Sequence, residues 1–196
     1  MYLMVATPHG RDLEPEYVGS LVNLVIQSPC KISVHFREGI LIHRNRNMLF
    51  EAAQKSDCDA LLFIDSDMTF TPNDVKAMLD SPYDVTTGLC MNRWHHGFPV
   101  LCKWDDTSTT GYTFYTLDEI GTEPRKVDLT GAAFLMIKRP VLDMWNGRED
   151  RPFSLVNDRD GEDYAFCVRL KEMGVPIYVL PHVKLGHVGT VIHEVP

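Results

Sequence analysis

Hydrophobic residues in this chain come in short unbroken runs, separated by stretches in which they recur every three or four positions. That alternation predicts strands followed by helices. Tyr2 to Ala6 is an apolar run closed by Thr7-Pro8-His9-Gly10 and reads as a buried strand ending in a loop. From Glu14 to Ile26, Tyr17, Leu21, Leu24 and Val25 fall at helical spacing; Ser28-Pro29 ends the pattern and Lys31 to Phe36 resumes as a strand. A second helix is predicted from Leu41 to Lys55, with Arg44, Arg46 and Asn47 near its start and Met48, Leu49, Ala52 and Ala53 on its apolar face. Ala60 to Ile64 is apolar without alternation, as expected of a strand covered on both sides in the centre of a parallel sheet.

Thr71-Pro72 has the form of an N-cap followed by proline at the first helical position, opening a short helix to about Leu79. Asp84 to Cys90 is a further strand. Met91 to Asp128 is irregular and predicts hairpin strands with a loop over a site. Gly131 to Ile137 is a buried strand, Arg139-Pro140 to Trp145 a short helix, and Arg148 to Gly161 a polar loop. Glu162 to Met173 reads as an amphipathic helix stopped by Gly174, before a strand from Ile177 to Leu180. The fold class is α/β, with a central, mostly parallel sheet flanked by helices, and the 196 residues suffice for one domain, 1–196.

Composition narrows the function. A formal net charge of -8 supplies no overall positive field to gather phosphate backbones, which argues against a protein that coats DNA or RNA. Five cysteines without a C-x-x-C pair fit neither a disulfide framework nor a zinc knuckle and predict reduced thiols. No apolar run reaches membrane-spanning length and Met1 to Ala6 lacks a basic leader, so a soluble, cytoplasmic protein is expected.

Asp65-Ser66-Asp67 follows directly on the predicted central strand, where open α/β sheets bind their ligands. Two carboxylates one residue apart can share a hard divalent cation that leaves positions open for phosphate oxygens. Alone, the tripeptide reads first as a polar turn, since Asp and Ser favour turns through local hydrogen bonds. A calcium loop is excluded, because Phe70 stands where that loop needs glycine and Lys76 where it needs glutamate.

Four stretches, Arg44 to Asp67, Thr130 to Arg139, Gly161 to Leu170 and Leu185 to Gly189, together resemble GT-A glycosyltransferases in content and order, most nearly the small phage or viral type. The resemblance implies a GT-A fold and transfer of a sugar from a nucleotide-sugar, a UDP-sugar by expectation, to a hydroxyl acceptor, with Mn2+ or Mg2+ as cofactor. It assigns the metal to Asp65, Asp67 and His187, with Asp65 on the donor ribose or the metal and His187 in a flexible tail, and the acceptor base to Asp163 or Glu162 at a helix start. It places Thr7 and Pro8 beside the nucleotide base, Arg46 on the base or diphosphate, Ser66 in the donor turn, Asn47 as a loop anchor, and Gly131 and Ala132 near the donor sugar.

A glycan, a protein side chain or a modified nucleobase remain open as acceptor. Trp94, His95 and His96 are candidates for stacking on a sugar or base. Two other functions compete. A nucleotidyltransferase acting on a sugar phosphate shares the fold but expects a glycine-rich basic loop after the first strand, of which Thr7-Pro8-His9-Gly10-Arg11 is a poor version. A non-catalytic nucleotide- or carbohydrate-binding module would keep the metal residues without the base.

Overall fold

The structure, a computed structural model, describes residues 1–92, 98–157 and 160–189; the Trp94-His95-His96 cluster lies outside them. The chain opens with β1 (Tyr2–His9), α1 (Pro15–Ile26), β2 (Lys31–Glu38), α2 (Ile42–Lys55) and β3 (Ala60–Ile64). A short β4 (Met68–Thr69), α3 (Pro72–Asp80) and β5 (Val85–Leu89) follow, and then β6 (Leu101–Trp104), β7 (Tyr112–Phe114), α4 (Leu117–Ile120), β8 (Arg125–Val127) and β9 (Leu129–Thr130). The remainder is β10 (Phe134–Lys138), α5 (Arg139–Asp143), α6 (Glu162–Glu172), β11 (Ile177–Lys184) and β12 (Gly186–His187).

Seven strands form the main sheet in the order β2-β1-β3-β10-β5-β11-β8. Five point the same way, and β10 and β8 run against their neighbours. Every residue of β3 is buried, which explains its lack of polar alternation: side chains pointing to either face meet a helix layer. Met4, Ala6, Leu61 and Phe63 pack with Leu49 and Phe50 of α2 and Phe166 of α6, while Leu3, Val5, Leu62 and Ile64 pack with Tyr17 and Leu21 of α1 and Val75 of α3. Complete burial of each large side chain contributes about 1.5–3 kcal/mol. The two apolar faces therefore hold the sheet rigidly in place.

Helix starts here use a polar cap, a proline in the first turn, or both. Thr71 accepts the Asp74 amide and the Asp74 carboxylate accepts the Thr71 amide, the reciprocal pair expected of a capping box. In α5, Pro140 occupies the first turn, where a missing N–H costs nothing. Gly174 takes φ +73° after α6, a conformation that side chains disfavour, and stops the helix where the sequence predicts.

Several boundaries differ from the sequence reading. β1 extends through Thr7 and Pro8 to His9, because β2 continues alongside it as far as Glu38. Pro8 is tolerated there because pairing with β3 ends at Ala6, so its missing N–H interrupts no second ladder. β11 likewise runs on to Lys184, with a register shift after Leu180 next to Pro181. Met91 to Asp128 contributes part of a second, three-stranded sheet, in the order β7-β6-β9, that packs against α6.

Candidate active site

The carboxyl ends of β1, β3, β5 and β11 share one edge of the sheet, and the reversed β10 brings its beginning, Gly131 to Ala133, to the same edge. Where β3 ends, the Asp65 amide donates to the Ala133 carbonyl at 2.9 Å, and the chain then turns, the Met68 amide donating back to Asp65 at 3.2 Å. The turn delivers Asp67 next to β12. Gly186 pairs with Thr69 and His187 with Met68, and the Val188 amide donates to the Asp67 carbonyl at 2.8 Å. His187 thus belongs to a two-stranded ribbon and not to the flexible tail the sequence suggests.

Glycine at 186 is what allows this approach, since a Cβ there would stand 2.1 Å from Thr69 Oγ1. His187 Nε2 faces Asp67 Oδ2 at 3.5 Å. Its Nδ1 lies 3.3 Å from the Met91 carbonyl, to which it donates, and 3.6 Å from Cys90 Sγ. Bonding to Asp67, then to Cys90, raises the imidazole to about 10, so its Nε2 is available to a metal only with release of that proton.

Arg46, in the second turn of α2, joins the other parts of the site. Its side chain is only 3% exposed. Nη2 donates to Asp65 Oδ1 at 2.8 Å, Nε to Glu162 Oε1 at 3.0 Å and Nη1 to the Ala132 carbonyl at 3.1 Å. One planar fork therefore ties together the end of β3, the entry to β10 and the start of α6. These acceptors engage three of the five guanidinium N–H groups, while the side chain still lines the cleft.

Asp163, beside Glu162 in the first turn of α6, accepts the Tyr164 amide at 2.8 Å. It opens on the cleft on one side and is enclosed by protein on the others. That burial, reinforced by the neighbouring Glu162 charge, raises its carboxyl to about 6. Asp65 is also raised, by burial first, with Arg46 opposing the shift. The four carboxylates thus differ in partner: Asp65 and Glu162 are held by a guanidinium, Asp67 faces an imidazole, and among the described residues no cation pairs with Asp163.

Arg46, Asp65, Gly131, Ala132, Glu162, Asp163 and His187 line one cavity of about 280 Å³, together with Asn92 and Val100. A larger cavity of about 770 Å³, between Leu89, Leu117, Pro181 and Leu185, contains no carboxylate, and chemistry rather than size favours the smaller one. Gly131 brings backbone close to the cavity: a Cβ there would stand 2.9 Å from Val100 Cγ1 and 3.6 Å from Asp163 Oδ2. Asn47 Oδ1 accepts the Phe153 amide at 2.9 Å and so anchors the loop before α6, as anticipated.

Other expected residues fall elsewhere. Thr7 is fully buried, its hydroxyl against that of Tyr17, and Pro8 is buried beside it, so neither side chain reaches the cleft. The Ser66 carbonyl accepts the Glu14 amide at 3.0 Å, tying the turn to α1. Among the described residues no three His, Cys, Asp or Glu side chains form a metal-holding group, and Asp65 is bonded to Arg46. Asp67 and His187 do fit as a pair. Neighbouring ligands of a six-coordinate ion of Mg2+ type stand about 3 Å apart, close to the separation seen between them. The roles of Cys90 and Met91 behind His187 were not anticipated, and the irregular stretch around them carries no periodic signal that could have revealed them.

No protein-family description matches the chain, and no curated protein is similar to it in sequence. Solved structures are similar in fold. The A197 protein of STIV superposes with a TM-score of 0.61 at 18% identity, over 100% of this chain and 98% of that one. Drosophila β-1,4-galactosyltransferase 7, solved as a D211N mutant with manganese, UDP-Gal and xylobiose, gives 0.56 at 14% identity, over 97% of this chain and 72% of that one. A glycosyltransferase involved in glycosylation of the major capsid of PBCV-1 gives 0.52 at 12%, over 96% and 94%. These likenesses establish the architecture: the chain has the GT-A fold.

Proposed function

We propose that this protein is a metal-dependent glycosyltransferase that moves a sugar from a nucleoside-diphosphate sugar, a UDP-sugar by preference, to a hydroxyl acceptor. The observation that carries this reading is the charge layout of the cleft. Asp65, Glu162 and Asp163 line it with three carboxylates, against the Arg46 guanidinium, which is bonded to protein acceptors, and the His187 imidazole, which faces Asp67. An entering diphosphate would meet net repulsion unless a cation came with it.

Asp67 and His187 are the residues that would hold that cation, with diphosphate oxygens and water completing its shell. When bound, a divalent ion supplies Lewis-acid stabilisation of the departing diphosphate. Asp163 is the acceptor base. Its carboxylate takes the acceptor hydroxyl proton as the acceptor oxygen bonds to the anomeric carbon, and the electron pair of the breaking carbon–oxygen bond leaves with the diphosphate. Arg46 holds the Asp65 and Glu162 carboxylates in place, and Gly131 and Ala132 line the cleft beside Asp163, where the donor sugar would lie.

A thermal-shift titration tests the reading. A UDP-sugar with Mn2+ raises the melting temperature by mass action on the folded state, and Asp67→Ala abolishes the rise. Slow release of UDP in the absence of acceptor accompanies it. Absence of any shift across a panel of nucleotide-sugars overturns the donor assignment.

A further inference from the structure

One edge of the main sheet is open, and an apolar helix flank stands over it. β2, the terminal strand beyond β1, pairs with β1 through eight consecutive residue pairs from Lys31 to Glu38, without a bulge, and with no other described strand. It contains no proline, so over about 26 Å its outer N–H and C=O groups form a regular template for a further strand. Ile32, Val34 and Phe36 share the α1 face of the sheet, because their β1 partners Leu3, Val5 and Thr7 point there: Leu3 and Val5 pack with Leu21, and the Thr7 hydroxyl meets that of Tyr17.

α1 is apolar on two adjacent sides. Tyr17, Leu21 and Leu24 are buried against the sheet. Val18, Val22 and Val25 each follow one of these by one residue, so they turn about 100° to one side. There they are between 39% and 51% exposed. Ser20 precedes Leu21 and turns the other way, where its hydroxyl oxygen accepts the Phe70 amide at 3.3 Å, next to β4. The three valines therefore lie on the β2 side of the helix, above Ile32, Val34 and the half-exposed Phe36. Single exposed apolar residues need no explanation, but a continuous row beside an unpaired strand does.

We propose that this edge joins a second copy of the chain, β2 pairing antiparallel with its counterpart about a two-fold axis through Val34. That register sets Ile32 against Phe36 of the second copy and Val34 against Val34, so the apolar row meets only apolar residues. It also faces the two α1 flanks toward each other, because a two-fold axis perpendicular to the sheet keeps both helices on one face. On the opposite face Ser33 meets His35 and Lys31 meets Arg37. The last pair is like-charged, and Lys31 Nζ leans over the Tyr2 ring of its own β1 at 4.0 Å, away from the edge. A lipid surface would leave the strand's polar groups unpaired. A foreign strand would pair them and leave the valines of α1 uncovered. A second copy covers both. Eight strand residues and three valines a side fall short of the roughly 20–30 of a standard interface, so the dimer is a weak one, with a Kd on the order of micromolar. The cleft opens at the strand ends and not at this edge, so the inference stands apart from the transferase reading.

Sedimentation equilibrium of the full chain from roughly 1 to 300 µM tests it, a range that brackets a weak Kd. The expected result is a monomer–dimer equilibrium. Val22→Lys, at an exposed position, weakens it at least tenfold. Lys31→Glu replaces two like-charge cross-strand pairs by opposite ones and tightens the dimer by roughly three- to tenfold. Arg37→Glu does the same, and the double reversal returns the wild-type affinity. Four results overturn the proposal: a monomer throughout, a dimer that Val22→Lys leaves unchanged, single reversals that fail to tighten it, or a monomer that sediments with phosphatidylcholine vesicles and loses them on Val22→Lys, which would assign the surface to lipid.

Discussion

Arg46 Nη2 stands 2.8 Å from Asp65 Oδ1, and the same guanidinium reaches Glu162 on the far side of the cleft, so one buried cation serves a strand end and a helix start at once. Removing one member of such a buried set strands the charges that remain. Arg46→Met is expected to cost about 3–5 kcal/mol at pH 7, read as a lower urea midpoint. Adding Glu162→Gln should recover part of that loss, because one stranded carboxylate is then gone. Equal loss in the single and double variants would show that Glu162 is not coupled to Arg46.

Asp163 sets activity and stability against each other. Its folded value of about 6 lies above the ordinary 3.8, so it contributes stability while protonated; the contribution is complete below about pH 3.8 and is lost as pH rises through 6. The difference of about 2 units corresponds to about 3 kcal/mol at neutral pH. Asp163→Asn should therefore be more stable than wild type at pH 7, by up to that amount, with the gap closing toward pH 4. Turnover should fall about 10²- to 10⁴-fold in the same variant, and wild-type turnover should rise with pH through about 6. Calorimetry and a pH–rate profile check both signs.

The ribbon that carries His187 offers a repairable lesion. Gly186→Ala places a methyl group against Thr69 Oγ1, pushes β12 from β4 and separates His187 from Asp67. Mn2+ affinity, measured from the free-ion paramagnetic resonance signal, should drop at least tenfold. Thr69→Ala in the same chain removes the colliding oxygen and leaves the next atom at 3.5 Å, an ordinary contact, so affinity should return. Failure of the second change to rescue the first would refute the steric account.

Asn47 contributes through structure alone. Asn47→Ala leaves the buried Phe153 amide without its acceptor, at a cost of about 1–3 kcal/mol. Turnover per folded molecule should stay within twofold of wild type, because Phe153 packs among Phe50, Phe63 and Phe166 and does not line the cleft.

Features governed by local chemistry were legible in the sequence. Ala60 to Ile64, the Thr71-Pro72 cap and the Gly174 stop each follow from neighbours a few residues away, and the structure places them where the chain predicts. Strand direction is not encoded in an apolar run, so nothing in Gly131 to Ile137 announced that β10 lies antiparallel between two parallel strands. Thr7 looks like a loop residue until β2 is seen to continue beside it. Arg46 resembles any exposed helix-start arginine until Asp65, Ala132 and Glu162, far away in sequence, close around it. Asp65-Ser66-Asp67 does follow β3, and His187, grouped with Asp67 in the sequence reading, stands next to it; the bond from Arg46 to Asp65 is long-range and was not read.

Because β10 lies directly beside β5 and runs against it, everything from Cys90 to Ala133 is topologically the loop of a single β-hairpin. Adjacent antiparallel strands can be joined by as few as two residues, and extending such a connection has a small entropic cost. That excursion contains Phe98, Tyr112 and Phe114, whereas Arg46, Asp65, Asp67, Asp163 and His187 all lie outside it. Exchanging this one segment between chains would nonetheless reach the charged residues as well, because it supplies the Ala132 carbonyl to Arg46, the Ala133 carbonyl to the Asp65 amide and the Met91 carbonyl to His187.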